Sequence, residues 1–70
     1  MGYTKIESLR RIYRAGDRLE LVYMEDSLEV LPGTQGTVEF VDDAGNVHMV
    51  WDNGSTLSFL PDVDTCKKLK

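Results

Sequence analysis

The 70-residue sequence has one cysteine, Cys66, and one histidine, His48. A lone cysteine excludes an intrachain disulfide, and one Cys with one His cannot assemble the usual zinc sets within a single chain. No apolar run approaches the roughly 18 residues that span a bilayer, and the first twenty residues hold no apolar signal-peptide core. A cytoplasmic protein that does not enter membranes is therefore expected, with no metal, no cofactor and no small-molecule substrate.

Basic residues are missing from most of the chain. Residues 19–64 contain ten acids and not one Lys or Arg. The bases lie at the ends: Lys5, Arg10, Arg11, Arg14 and Arg18 on one side, Lys67, Lys68 and Lys70 on the other. A net charge of -4 and a pI near 4.7 argue against a general polyanion binder. If the first and last strands lie side by side, however, Arg10, Arg11, Arg14, Arg18, Lys67 and Lys68 would form one patch able to touch phosphates.

What is present is enough for a small core. Hydrophobic residues make up 41% of the sequence, with three Tyr, two Phe and one Trp, so disorder is not expected. A chain of this length buries only about 60% of the surface its unfolded form exposes, which allows one economical domain. Residues 1–15 read as an amphipathic helix and linker, and residues 16–70 as a β-domain.

The organising stretch is residues 32–58, PGTQGTVEFVDDAGNVHMVWDNGSTLS. Pro32-Gly33 is a turn signal. Residues 34–41 read as a strand with Val38 inward, and the adjacent apolar pair Phe40-Val41 calls for a β-bulge. Residues 42–46 form a hairpin loop, too short and too poor in spaced acids to hold calcium as an EF-hand does. Residues 46–51 alternate, with Val47, Met49 and Trp51 on the core face and His48 and Val50 outside. Asp52-Asn53-Gly54 suits a type I′ turn. Residues 55–60 then form a fourth strand carrying Leu57 and Phe59.

Upstream, Thr4-Lys5-Ile6-Glu7 has the form of a capping box. Ile6, Leu9, Ile12 and Tyr13 follow at helical spacing, so residues 5–13 are expected to form a helix stopped by Ala15-Gly16-Asp17. So short a helix is marginal alone, so its stripe must pack on the barrel or on a second chain. Residues 18–24 alternate with Leu19, Leu21 and Tyr23 on one face; residues 25–31 form a long loop anchored by Leu28 and Leu31. Pro61 to Asp64 makes one helical turn, and residues 65–69 a final strand. Five short strands in so few residues favour an all-β fold, a small five-stranded SH3-like barrel with a short N-terminal α-helix, because an open sheet would leave two unprotected edges.

Chemistry is not expected. His48 has no sequence-visible partner, Cys66 has no evident base or oxyanion site although Lys67 and Lys68 would favour its thiolate, and the acids form no catalytic pair. A protein or peptide partner is favoured instead, held at a barrel rim by Tyr23, Phe40, Trp51, Asp52 and Asn53. Nucleic acid is the alternative, and self-association through the N-terminal helix is compatible with either.

PGTQGTV and DDAGNVHMVWDNGS, with RIYRAGDRLELV before them and LPDVD after, resemble a small uncharacterised bacterial domain family met in phage and conjugative-element genes. The resemblance covers residues 11–65 and implies an SH3-like barrel without an assigned activity. Gly36-Thr37-Val38 and Met49-Val50-Trp51-Asp52-Asn53-Gly54 are also distantly similar to the Mind bomb/HERC-type barrel, which implies recognition in place of catalysis. Phe40 departs from the first family's pattern, which favours a small or polar residue there.

Overall fold

Two hairpins with the same loop geometry set the frame of the computed structural model, which describes residues 3–24 and 29–69. In the first, the Gly45 amide donates to the Asp42 carbonyl and the Asp42 amide to the Asn46 carbonyl; in the second, Gly54 donates to Trp51 and Trp51 to Ser55. Gly45 and Gly54 take φ of +89° and +93°. This is the three-residue hairpin loop that ends in a left-handed glycine. The Asn53-Gly54 turn is thus one residue longer than the two-residue type I′ turn expected from its sequence.

The helix α1 spans Tyr3–Ile12, and the strands are β1 (Arg18–Tyr23), β2 (Gln35–Val41), β3 (Val47–Trp51) and β4 (Thr65–Lys68). They form one antiparallel sheet in the order β3-β2-β1-β4. The sheet is open and four-stranded, where five strands were expected. The fourth strand, residues 55–60, contracts to a single bridge in which Phe59 and Val47 exchange both backbone hydrogen bonds, at 2.8 and 3.0 Å. Among its neighbours, Ser55 instead turns its hydroxyl to the Leu57 amide and so ends the ladder.

Leu19, Leu21, Val30, Val38, Val41, Val47, Met49, Trp51 and Phe59 form the core together with Leu9 of α1. Leu57 packs at its margin. The β3 alternation holds as read: Val47, Met49 and Trp51 point in, His48 and Val50 out.

Two bulges re-aim side chains. The register of β2 against β3 shifts between Val38 and Phe40, so Glu39 and Phe40 together oppose His48. The bulge was expected at Phe40-Val41; placed at Glu39, it sends both Glu39 and Phe40 outward and returns Val41 to the core. Leu19 and Leu21 point in as expected, and a second shift, between Leu21 and Tyr23 against β4, breaks the β1 alternation after them. Tyr23 turns out to solvent, and Met24 packs against the core.

The helix begins at Tyr3, so Thr4 lies inside it, where the capping-box pattern had placed it just ahead of the first turn. Ile6 and Leu9 are buried, but Ile12, on the flank of the stripe that Ile6, Leu9 and Tyr13 form, is 48% exposed. The Tyr13 amide closes the last turn on the Leu9 carbonyl at 2.8 Å, and its ring meets Phe59 edge-on, with centroids 5.5 Å apart. Two buried aliphatic side chains give on the order of 3–5 kcal/mol of gross stabilisation, against about 1 kcal/mol at most for the exposed Lys5–Asp62 ion pair. Apolar docking on the sheet therefore holds the helix.

In the connection between β1 and β2, Leu28 lies outside the described residues. The anchor is Val30, 1% exposed, and not Leu31, which is 61% exposed. The Pro32-Gly33 turn closes as expected, with the Thr34 amide on the Leu31 carbonyl at 3.0 Å. After Phe59, the chain turns at residues 60–64, where the Asp64 carboxylate accepts from the Leu60 amide and its own amide returns to the Leu60 carbonyl.

Candidate functional site: a groove between the helix and the bulge of β2

The bulge in β2 stands opposite the end of α1, and between them runs a groove of about 260 Å³. Arg10, Tyr13, Arg14 and Ala15 line its helix side; Glu39, Phe40 and Val41 line its strand side. Arg10 fixes the two sides to each other, donating through Nε to the Val41 carbonyl at 3.2 Å and through Nη2 to Asp43 at 2.7 Å. Burial raises the Tyr13 hydroxyl pKa above its usual value, with the nearby Cys66 adding to the effect. Tyr13 is therefore a neutral wall at any physiological pH.

Phe40 is 53% exposed. One of its faces is covered by His48, with ring centroids 4.3 Å apart and planes 7° from parallel. His48 in turn holds its Nε2 2.8 Å from Asp42 Oδ2. Asp42 organises the whole hairpin end: Oδ1 accepts from the amides of Ala44 and Asn46, and Oδ2 from the Asn46 side chain. The His48 contact, followed by these amides, holds the Asp42 carboxyl far below the ordinary carboxylate range. His48, read as lacking a partner, thus has two. The spacing Asp42…His48 across one hairpin was the signal, and it was masked because the bulge sets which residue faces which.

The other residues assigned to a binding rim are dispersed. Trp51 is 1% exposed and donates its indole N–H to the Leu57 carbonyl at 2.7 Å, so it is a core residue and presents no edge to a partner. Tyr23, 54% exposed, stands at the far end of β1. Asp52 receives both guanidinium nitrogens of Arg18, at 2.8 and 2.6 Å, which lowers its pKa. Asn53 is tied to the Glu29 carbonyl at 2.7 Å.

The two ends of the chain do meet, since β4 pairs with β1 and sets Lys67 opposite Glu20. The bases found there are mostly paired. Arg18 holds Asp52 and Thr37, Lys67 holds Glu20 at 3.5 Å, Lys68 holds Asp17 at 3.2 Å, and Arg10 holds Asp43. Among the described residues of the suggested basic patch, Arg11 and Arg14 alone make no ion pair. Cys66 of β4, opposite Leu21 of β1, is half-buried, and burial, with Asp64 second, pushes its thiol up to about 12. Lys67 and Lys68 do not make it a thiolate.

A family model matches residues 3–69 of the chain. The chain belongs to the DUF4314 family, a domain of unknown function. No curated protein matches it, and no solved structure does. The match runs through α1 and all four strands of this DUF4314 domain, so helix and sheet belong to one family unit. Within the described residues, no helix is long and apolar enough to cross a membrane.

Proposed function

We propose that this domain is a non-catalytic interaction module that binds a protein segment in the groove between α1 and the β2 bulge. The observation that carries the reading is Phe40, an aromatic ring turned out to solvent by a bulge and braced from behind by His48 and Asp42. A pre-positioned aromatic beside arginine is the composition of a binding centre, since little side-chain entropy remains to be lost on contact. The same reading takes the sheet as a reduced SH3-like barrel. It is supported by the meander, the return of β4 to β1, and the Phe59 bridge on the outer edge of β3. A bacterial, mobile-element setting and a cytoplasmic location complete the proposal, and a single cysteine with a suppressed thiolate suits a reducing compartment.

Nucleic acid is the lesser reading. The pairing of β4 with β1 favours it, but Arg10, Arg18, Lys67 and Lys68 are each held by an acid. Two free arginines release few counterions. A mobility-shift assay at low salt is expected to show no retardation.

The test of the main reading is capture from the native host with the wild type, Phe40→Ser and Tyr23→Ser. Loss of partner with Phe40→Ser alone supports it. Equal capture by all three, or loss with Tyr23→Ser alone, contradicts it. A Trp51 variant is unsuitable as a control because it removes a core side chain.

A further inference from the structure

Arg14, on the helix side of the groove, and Glu39, on the strand side, both line it and form no ion pair with each other or with any other described residue. Asp17, whose carboxyl senses Arg14, is already engaged by Lys68 and by the Arg14 amide. The exposed ring of Phe40 lines the groove beside Glu39. The groove therefore carries one unpaired charge of each sign together with an exposed apolar ring.

We propose, building on the protein-binding reading above, that the partner at this groove is a second copy of this chain, docked through the same face. In this two-fold pair, Arg14 of each copy meets Glu39 of the other around the two Phe40 rings. A two-fold interface must be complementary to itself. A patch of one sign repels its copy, whereas a patch holding both signs together with an apolar ring satisfies the condition. A polyanion or an acidic peptide would instead bring its charge against Glu39 and against a chain of net charge -4. That same net charge opposes pairing at very low salt, and is screened beyond about 8 Å at physiological ionic strength.

Symmetry makes the test sharp, because each substitution acts twice in a pair. Sedimentation velocity of the full chain over a concentration series is expected to show a monomer–dimer equilibrium. Arg14→Glu and Glu39→Arg, each placing like charges opposite one another, are each expected to weaken it by at least about tenfold. An equimolar mixture of the two variants is expected to restore pairing as a heterodimer, and the double variant in one chain to restore the homodimer. Both residues are exposed, so unchanged circular dichroism and melting of each single variant confirm that the fold is kept. A monomeric wild type at millimolar concentration, single variants that pair like the wild type, or a mixture that stays monomeric each overturns the proposal. A monomeric wild type that still captures a different host protein through Phe40 would defeat self-pairing and leave the protein-binding reading standing. A monomer that captures nothing through Phe40 would defeat both.

Discussion

Trp51 lies directly over Gly36, its partner across the β2–β3 ladder. A Cβ added at Gly36 would come within 2.8 Å of Trp51 Cε3, 3.1 Å of Trp51 Cα and 3.0 Å of the Val50 carbonyl oxygen. Two of these three neighbours are backbone atoms, so the side chain alone cannot yield. The indole is kept flat in the core by its hydrogen bond to the Leu57 carbonyl.

Gly36→Ala is therefore expected to destabilise the fold by about 1–3 kcal/mol, the usual cost of overpacking. In a domain of this size that lowers the melting temperature by about 4–8 °C per kcal/mol. Thermal denaturation followed by Trp51 fluorescence measures it, and an unchanged melting temperature would mean that the ring does not rest on the glycine.

Two members of the expected helical stripe differ. Leu9→Ala, at a core position, is expected to cost about 2–4 kcal/mol, and Ile12→Ala, at an exposed one, about 0.5 kcal/mol or less. Urea denaturation of both variants checks the contrast. Equal effects would contradict the burial of Leu9 and the exposure of Ile12.

Acid should loosen the hairpin end that supports Phe40. The Asp42 carboxyl is held below its ordinary 3.8, first by His48 and then by the Asn46 amide. Below that value the unfolded chain binds the extra proton and the folded one does not, so stability is present above it and falls as the pH drops toward the folded value. Asp42→Asn is expected to melt lower than the wild type at pH 6 and to lose less on going from pH 5 to pH 3. Parallel melting curves for the two proteins across that range would refute the role given to Asp42.

Cys66 is expected to be slow with thiol reagents. With the thiol at about 12, almost no thiolate exists at pH 8, so labelling of the native chain by a disulfide reagent should be much slower than labelling in denaturant. Equal rates would show that the thiol is not buried in the fold.

How much of this was written in the sequence depends on the kind of interaction. The β3 alternation, both hairpins and the core residues Val38, Val47 and Met49 follow from local pattern and turn chemistry, and the structure has them. Several misreadings share one cause. The faces of Tyr23 and Met24, and the position of the bulge beside Phe40, depend on the two register shifts, which are set by cross-strand pairing and not by any residue's neighbours in sequence. The pairing of Arg18 with Asp52, and of Lys67 with Glu20, depends on the same long-range register, which is why a basic patch could be read from the ends of the chain when most of its charge is matched.

The central claim is that the Phe40 face is where this domain meets another protein. Site-specific photo-crosslinking in the native host, with the crosslinker at position 40 and, as a control, at position 31, which is no less exposed, tests it most directly. A discrete protein adduct from position 40 and none from position 31 is the predicted result; no adduct from position 40, or the same adducts from both, would contradict it.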